Sequence, residues 1–135
     1  MQRINLEGAI SGWELFGFTH VNLAGQVKRP CGGIFLTLYG EFDFPASGTT
    51  PFEVQISCLS PEEEIRSLPC IGIVTQVRPM VLATIALKGE MLGTLRQLAM
   101  SNTLKSCSIE VEKPNRGKAK VYGFSFTGAG GAVTR

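Results

Sequence analysis

Gly33-Ile34-Phe35-Leu36-Thr37-Leu38-Tyr39-Gly40-Glu41-Phe42-Asp43-Phe44 carries no helical period. Apolar side chains fall on both parities from Ile34 to Tyr39, the pattern of a strand covered on two faces, and this places the run in the middle of a sheet. Downstream, Pro45-Ala46-Ser47-Gly48-Thr49-Thr50-Pro51 is a cluster of breakers and small polar residues that forms a loop. Phe52, Val54, Ile56 and Cys58 then alternate with Glu53, Gln55 and Ser57 as an amphipathic strand. Upstream, residues 22–32 form a loop. Trp13 to Val21 read as an aromatic-rich strand, separated by Gly12 from a first strand with Ile4, Leu6 and Ile10 on one side.

Farther along, Ser60-Pro61-Glu62-Glu63 supplies a cap serine, a proline at the first helical position and a glutamate that reaches back to the cap. The turn it starts is short, because Leu68-Pro69 returns the chain to extended geometry. Ile71 to Val77 and Met80 to Leu87 are two apolar runs joined at Arg78-Pro79 by a bend or tight connection. Met91, Leu92, Leu95, Leu98 and Ala99 make one stripe of a helix whose other side carries Glu90, Thr94, Arg96 and Gln97, and Asn102 suits a left-handed terminus. Ser106 to Glu112 and Lys118 to Thr127 flank the turn residues 113–117 as a hairpin.

This order lacks the βαβ alternation of a doubly wound fold. It predicts an α+β domain: a mostly antiparallel curved sheet, two-layer sandwich or barrel-like structure with one amphipathic helix near the C-terminus. Residues 1–127 form a single domain, and 128–135 a flexible Gly/Ala-rich tail. No uninterrupted apolar run approaches the ~18 residues of a spanning helix, and the N-terminus lacks a secretory pattern, so the expectation is a soluble cytoplasmic protein with no membrane contact.

Cys31, Cys58, Cys70 and Cys107 are scattered, with no C-x-x-C pair and no nearby histidine, which disfavours a metal site. Cys58 and Cys107 read as buried thiols, and Cys31 as a thiol whose pKa Lys28 and Arg29 lower. No cofactor motif occurs.

Charge is lopsided along the chain. Acids dominate up to Ile65 and bases dominate from Arg66 onward, although the net charge is only +2. This gives a basic surface only if the C-terminal strands lie together.

Three functions follow, in order of preference. The first is a non-catalytic binding or interaction module, homodimeric because so much of 34–39 and 71–87 is apolar, with a small-molecule cavity lined by Trp13, Phe16, Phe18, Phe35 and Tyr39 or with a protein partner. The second is a small enzyme at the sheet rim, using His20 (the sole imidazole), Glu14 and Asp43, with Glu41 beside Asp43. The third, in which nucleic acid ranks low among partners, is weak binding through Lys113, Arg116, Lys118 and Lys120 with Tyr122 and Phe124 as stacking rings. Against it, Glu110 and Glu112 face these lysines across the hairpin and neutralise them.

Overall fold

In a computed structural model, residues 3–22, 29–46, 48–59 and 68–128 are described, except for the side chains of 18–22 and 29–32. The strands are β1 (Arg3–Asn22), β2 (Arg29–Ala46), β3 (Thr49–Cys58), β4 (Gly72–Gln76), β5 (Val81–Leu87), β6 (Leu104–Glu112) and β7 (Ala119–Gly128). One helix, α1 (Gly89–Met100), is found among the described residues. The strands close into a barrel in the order β1-β2-β3-β5-β4-β7-β6, and β6 returns to β1 over Arg3 to Ala9. Neighbours are antiparallel except β3 and β5, which run parallel from the Phe52–Val81 pair to Cys58–Leu87.

Alternation puts Leu36, Leu38, Val54, Ile56, Ile85, Ile109, Val111 and Val121 inside, essentially without solvent exposure. The Phe42 and Phe52 rings stack there at 4.6 Å. Closure bends β1 sharply against β2. A Cβ on Gly40 would lie 2.0 Å from the Ala9 carbonyl oxygen, and one on Gly8 2.4 Å from that of Glu41, so this approach requires a residue without a side chain.

Gly12 does not end the first strand. β1 runs through it with a register shift between Ile10 and Gly12, where Ser11 is accommodated and its hydroxyl donates to the Tyr39 carbonyl at 3.3 Å. The 34–39 run is likewise no central strand covered on both faces. Leu36 and Leu38 point inward, while Phe35 and Tyr39 stand on the outer parity and are only half-buried.

The helix buries Leu92, Leu95 and Ala99 at the end of the barrel where β3 and β5 finish and β6 begins. Met91, expected in that stripe, is 44% exposed, because position 91 lies about 100° from Leu92 on a helix while Leu95 and Ala99 follow Leu92 at steps of three and then four residues. Asn102 terminates α1 as expected, with φ of 58° and its N–H on the Ala99 carbonyl at 3.0 Å. The β6–β7 hairpin also forms. Asn115 and Lys118 exchange backbone hydrogen bonds of 2.8 and 3.1 Å around Arg116 and Gly117, both at positive φ, the geometry of a primed turn. Among the described residues no helix is long and apolar enough to cross a membrane. The cap motif at 60–63, the loop at 23–28 and the tail after Gly128 lie outside the described residues.

Candidate interaction surfaces

β1 and β2 outrun the barrel. β1 pairs with β6 only as far as Ala9, and β2 with β3 only from Leu36, yet the two strands pair with each other out to Asn22 and Arg29. Residues 16–22 and 29–35 therefore form a two-stranded ribbon with no third strand on either edge among the described residues, and the β1 edge is already unpaired from Gly12. The ribbon leaves from the end that α1 covers, where Trp13 and Ala99 line one small groove. Its register puts Trp13, Leu15, Ile34, Leu36 and Leu38 on one face, and Glu14, Phe16, Phe35 and Tyr39 on the other. Leu15 is 44% and Ile34 45% exposed, diagonal neighbours across the ribbon, and Phe16 is 60% exposed with its ring 6.4 Å from that of Phe35.

The aromatic residues expected to line a cavity thus divide between faces: Trp13 packs partly against the core, while Phe16 and Tyr39 stand on the other side. The side chain of Phe18 lies outside the description. Burial raises the Tyr39 phenol pKa, and the charges of Glu14 and Glu53 and a hydrogen bond with Glu14 push it the same way. Glu14 is engaged there.

His20, Glu14 and Asp43 follow one another along the β1–β2 pair, each about six register positions from the next, so their backbone positions span roughly 40 Å. They do not converge. Only the backbone register of His20, opposite Cys31, is described. Among the described residues no cluster of three metal-ligating side chains occurs. Asp43 instead borders a shallow groove of about 230 Å³ on the outer wall, beside Glu7 and the hydroxyls of Ser106, Ser108, Ser125 and Thr127. These hydroxyls bond locally: Ser106 pairs with Thr127 at 2.5 Å, and Ser108 donates to Asn5 Oδ1 at 2.5 Å. Glu41 accepts from Thr50 at 3.5 Å.

Cys107 is buried as expected, and desolvation pushes its thiol up to about 12. Cys58 is exposed, a correction to the sequence reading. It holds the inward parity of β3, but at the strand's last residue, where the wall ends beside Gly89 and its Sγ reaches the Leu59 carbonyl at 3.3 Å. The Cys31 side chain lies outside the described residues.

The opposite end of the barrel is basic. Arg78 on the β4–β5 connection and Lys113, Arg116, Lys118 and Lys120 on the β6–β7 hairpin are all exposed. The two loops are neighbours: a Cβ on Gly117 would sit 3.9 Å from Val77, and one on Gly48 3.6 Å from the Arg78 guanidinium. One step past the Val111–Val121 pair the register sets Glu112 opposite Lys120 as expected, but among the described residues no side-chain ion pair joins these lysines to Glu110 or Glu112. Glu110 pairs with Arg3 at 2.9 Å, the only ion pair among the described residues. Glu112 accepts from the Lys120 backbone N–H at 2.9 Å and the Tyr122 hydroxyl at 3.2 Å. The Tyr122 ring lies under the Arg3 guanidinium at 4.2 Å, while Phe124 and Phe126 pack against the core.

The ribbon was not anticipated, although one signal for it was present: two aromatic-rich runs, 13–21 and 33–44, around a polar loop. Their combined length exceeds what a small barrel uses. Comparison with family models, with curated proteins and with solved structures gives no match to this chain.

Proposed function

We propose that this chain is a non-catalytic interaction module that pairs with a second copy of itself through the β1–β2 ribbon. The observation that carries the reading is the ribbon's exposed apolar surface, Leu15 and Ile34 above all, on an element whose β1 edge meets no third strand among the described residues. An isolated two-stranded hairpin is marginal in water, so a ribbon of this length gains stability from a partner. Unpaired strand edges that carry few charges also template strand addition.

A second copy fits by register. Seven register positions of free ribbon, 16–22 on 29–35, extend about 23 Å and two strands about 10 Å across, so the two faces offer roughly 460 Å². That is short of the ~800 Å² per partner of a standard interface, and backbone pairing along the β1 edge from Gly12 to Asn22 adds to it. Between residues 12 and 22 the β1 edge contains no proline, whereas β2 contains Pro30. Antiparallel pairing of β1 with β1 about Gly17 sets Glu14 opposite position 20 of the other copy, so the two Glu14 carboxylates do not oppose each other.

Sedimentation analysis of the full chain tests this. The expected result is a dimer at micromolar concentration that Leu15→Glu with Ile34→Glu converts to a monomer of unchanged circular dichroism. A monomeric wild type, or a double variant that stays dimeric, overturns it.

A further inference from the structure

Barrel order turns the charge asymmetry of the sequence into an asymmetry of surface. β1, β2 and β3 are contiguous in the wall, and so are β5, β4, β7 and β6. On the first group the described charged side chains are Glu7, Glu14, Glu41, Asp43 and Glu53 against Arg3. On the second group and its connections, Arg78, Lys88, Arg96, Lys105, Lys113, Arg116, Lys118 and Lys120 stand against Glu90, Glu110 and Glu112. Of those three carboxylates Glu110 is paired with Arg3, while Glu112 accepts from Tyr122 and a backbone N–H and keeps its charge, which leaves the basic excess large.

We infer that the basic end of the barrel, Arg78 with Lys113, Arg116, Lys118 and Lys120, binds the phosphate backbone of nucleic acid without reading its sequence. Lys113, Arg116, Lys118 and Lys120 make no ion pair with a described carboxylate, so binding phosphate breaks no such pair among them. The primed turn fixes the loop that carries them, which limits the ordering cost of contact. Lys118 and Lys120 share one parity of the strand and stand about 7 Å apart, able to meet different phosphates of a chain.

Base stacking is absent from the mechanism, because Tyr122 is covered by Arg3 and Phe124 and Phe126 pack against the core. A membrane surface fits less well. The most exposed large apolar side chain among the described residues, Phe44 at 80%, lies beside Asp43 and Glu7 on the acidic wall rather than among the cations. The inference is independent of ribbon pairing, which involves the other end.

Fluorescence anisotropy of the full chain with a labelled duplex and a labelled single strand of equal length is the test. Both probes are expected to bind with similar affinity, and four or five neutralised phosphates weaken duplex binding on the order of 100-fold between 50 and 200 mM salt. Lys113→Gln with Lys118→Gln and Lys120→Gln is expected to reduce affinity at least tenfold and to flatten the logarithmic salt slope by roughly 3. Lys88→Gln with Arg96→Gln and Lys105→Gln, the same charge change at the far end, is expected to leave binding within twofold. Circular dichroism checks that both triple variants fold.

Absence of binding at 50 mM salt overturns the proposal, as does equal loss in the two triple variants, which would indicate net charge alone. A single strand bound more than tenfold tighter than the duplex overturns the backbone-only mechanism. Cosedimentation with phosphatidylserine vesicles in the absence of oligonucleotide binding reassigns the surface to a membrane.

Discussion

Cys107 sits between Ser106 and Ser108 on β6, and its inward parity separates its chemistry from theirs. Burial holds the thiol neutral until about pH 12, well above its ordinary value near 9. A group whose folded pKa is raised contributes stability that is complete below the unfolded pKa and disappears as the pH climbs toward the folded one. Between pH 9 and 10 the unfolded thiol ionises and the folded one does not. The wild type is therefore expected to lose about 1 kcal/mol more unfolding free energy than Cys107→Ala over that interval, read from urea midpoints. Iodoacetamide at pH 8 is expected to label Cys58 and spare Cys107 until denaturant is added, as mass spectrometry of peptides would show. The alternation of β6 made Cys107 legible from sequence. Cys58 has the same alternation and is exposed, because parity reports which way a side chain points and not whether wall exists in front of it. Gly40 poses a similar problem: its Cβ would meet the Ala9 carbonyl and the Phe52 ring, a contact between strands far apart in sequence. Gly40→Ala is expected to cost about 1–3 kcal/mol or more in thermal or chemical unfolding, with a near-normal stability pointing to a less sharply bent wall.

Elements were read reliably where local chemistry specified them. The Leu92-Leu95-Ala99 spacing, the left-handed Asn102 and the Asn115 to Lys118 turn each rest on interactions within a few residues. The ribbon does not, since a strand's length says nothing about how many neighbours accompany it. A glycine such as Gly12 commonly breaks a strand, which separates Trp13 to Val21 on sequence pattern alone, whereas the barrel uses that point as a bulge and lets both strands run on. The barrel's own hydrogen bonds to the pair end near Ala9 and Leu36. Replacing residues 16–35 by Asn-Gly keeps Leu15 paired with Leu36 and closes the hairpin with a two-residue primed turn. This shortened chain is expected to remain folded, with a thermal midpoint within a few degrees of wild type at a concentration where both are monomeric, and to lose self-association. Loss of the fold would mean that the ribbon and α1 support each other through contacts such as that around Trp13.

At the scale of the molecule, sequence order and surface position coincide more closely than strand order alone implies. The strand order departs from the chain order twice, β3 to β4 past β5 and β5 to β6 past β4 and β7, and both crossings exchange neighbours only within the C-terminal group, so the described acidic and basic strands stay on separate sides. The sequence contained the charge asymmetry but not the topology that keeps it intact, because hydrophobic pattern assigns faces and leaves neighbours open. With a net charge of only +2, a protein whose charges were evenly mixed would be held weakly by a cation exchanger near neutral pH. Segregated charge presents a field far larger than the sum suggests, and a rigid surface binds by its most favourable side. The chain is therefore expected to elute from sulfonate resin later than net charge implies. Lys113→Gln with Lys118→Gln and Lys120→Gln should advance that elution more than the equal charge change at Lys88, Arg96 and Lys105. Equal shifts would mean that the resin senses total charge, and that the closed barrel leaves no basic side strong enough to orient the molecule.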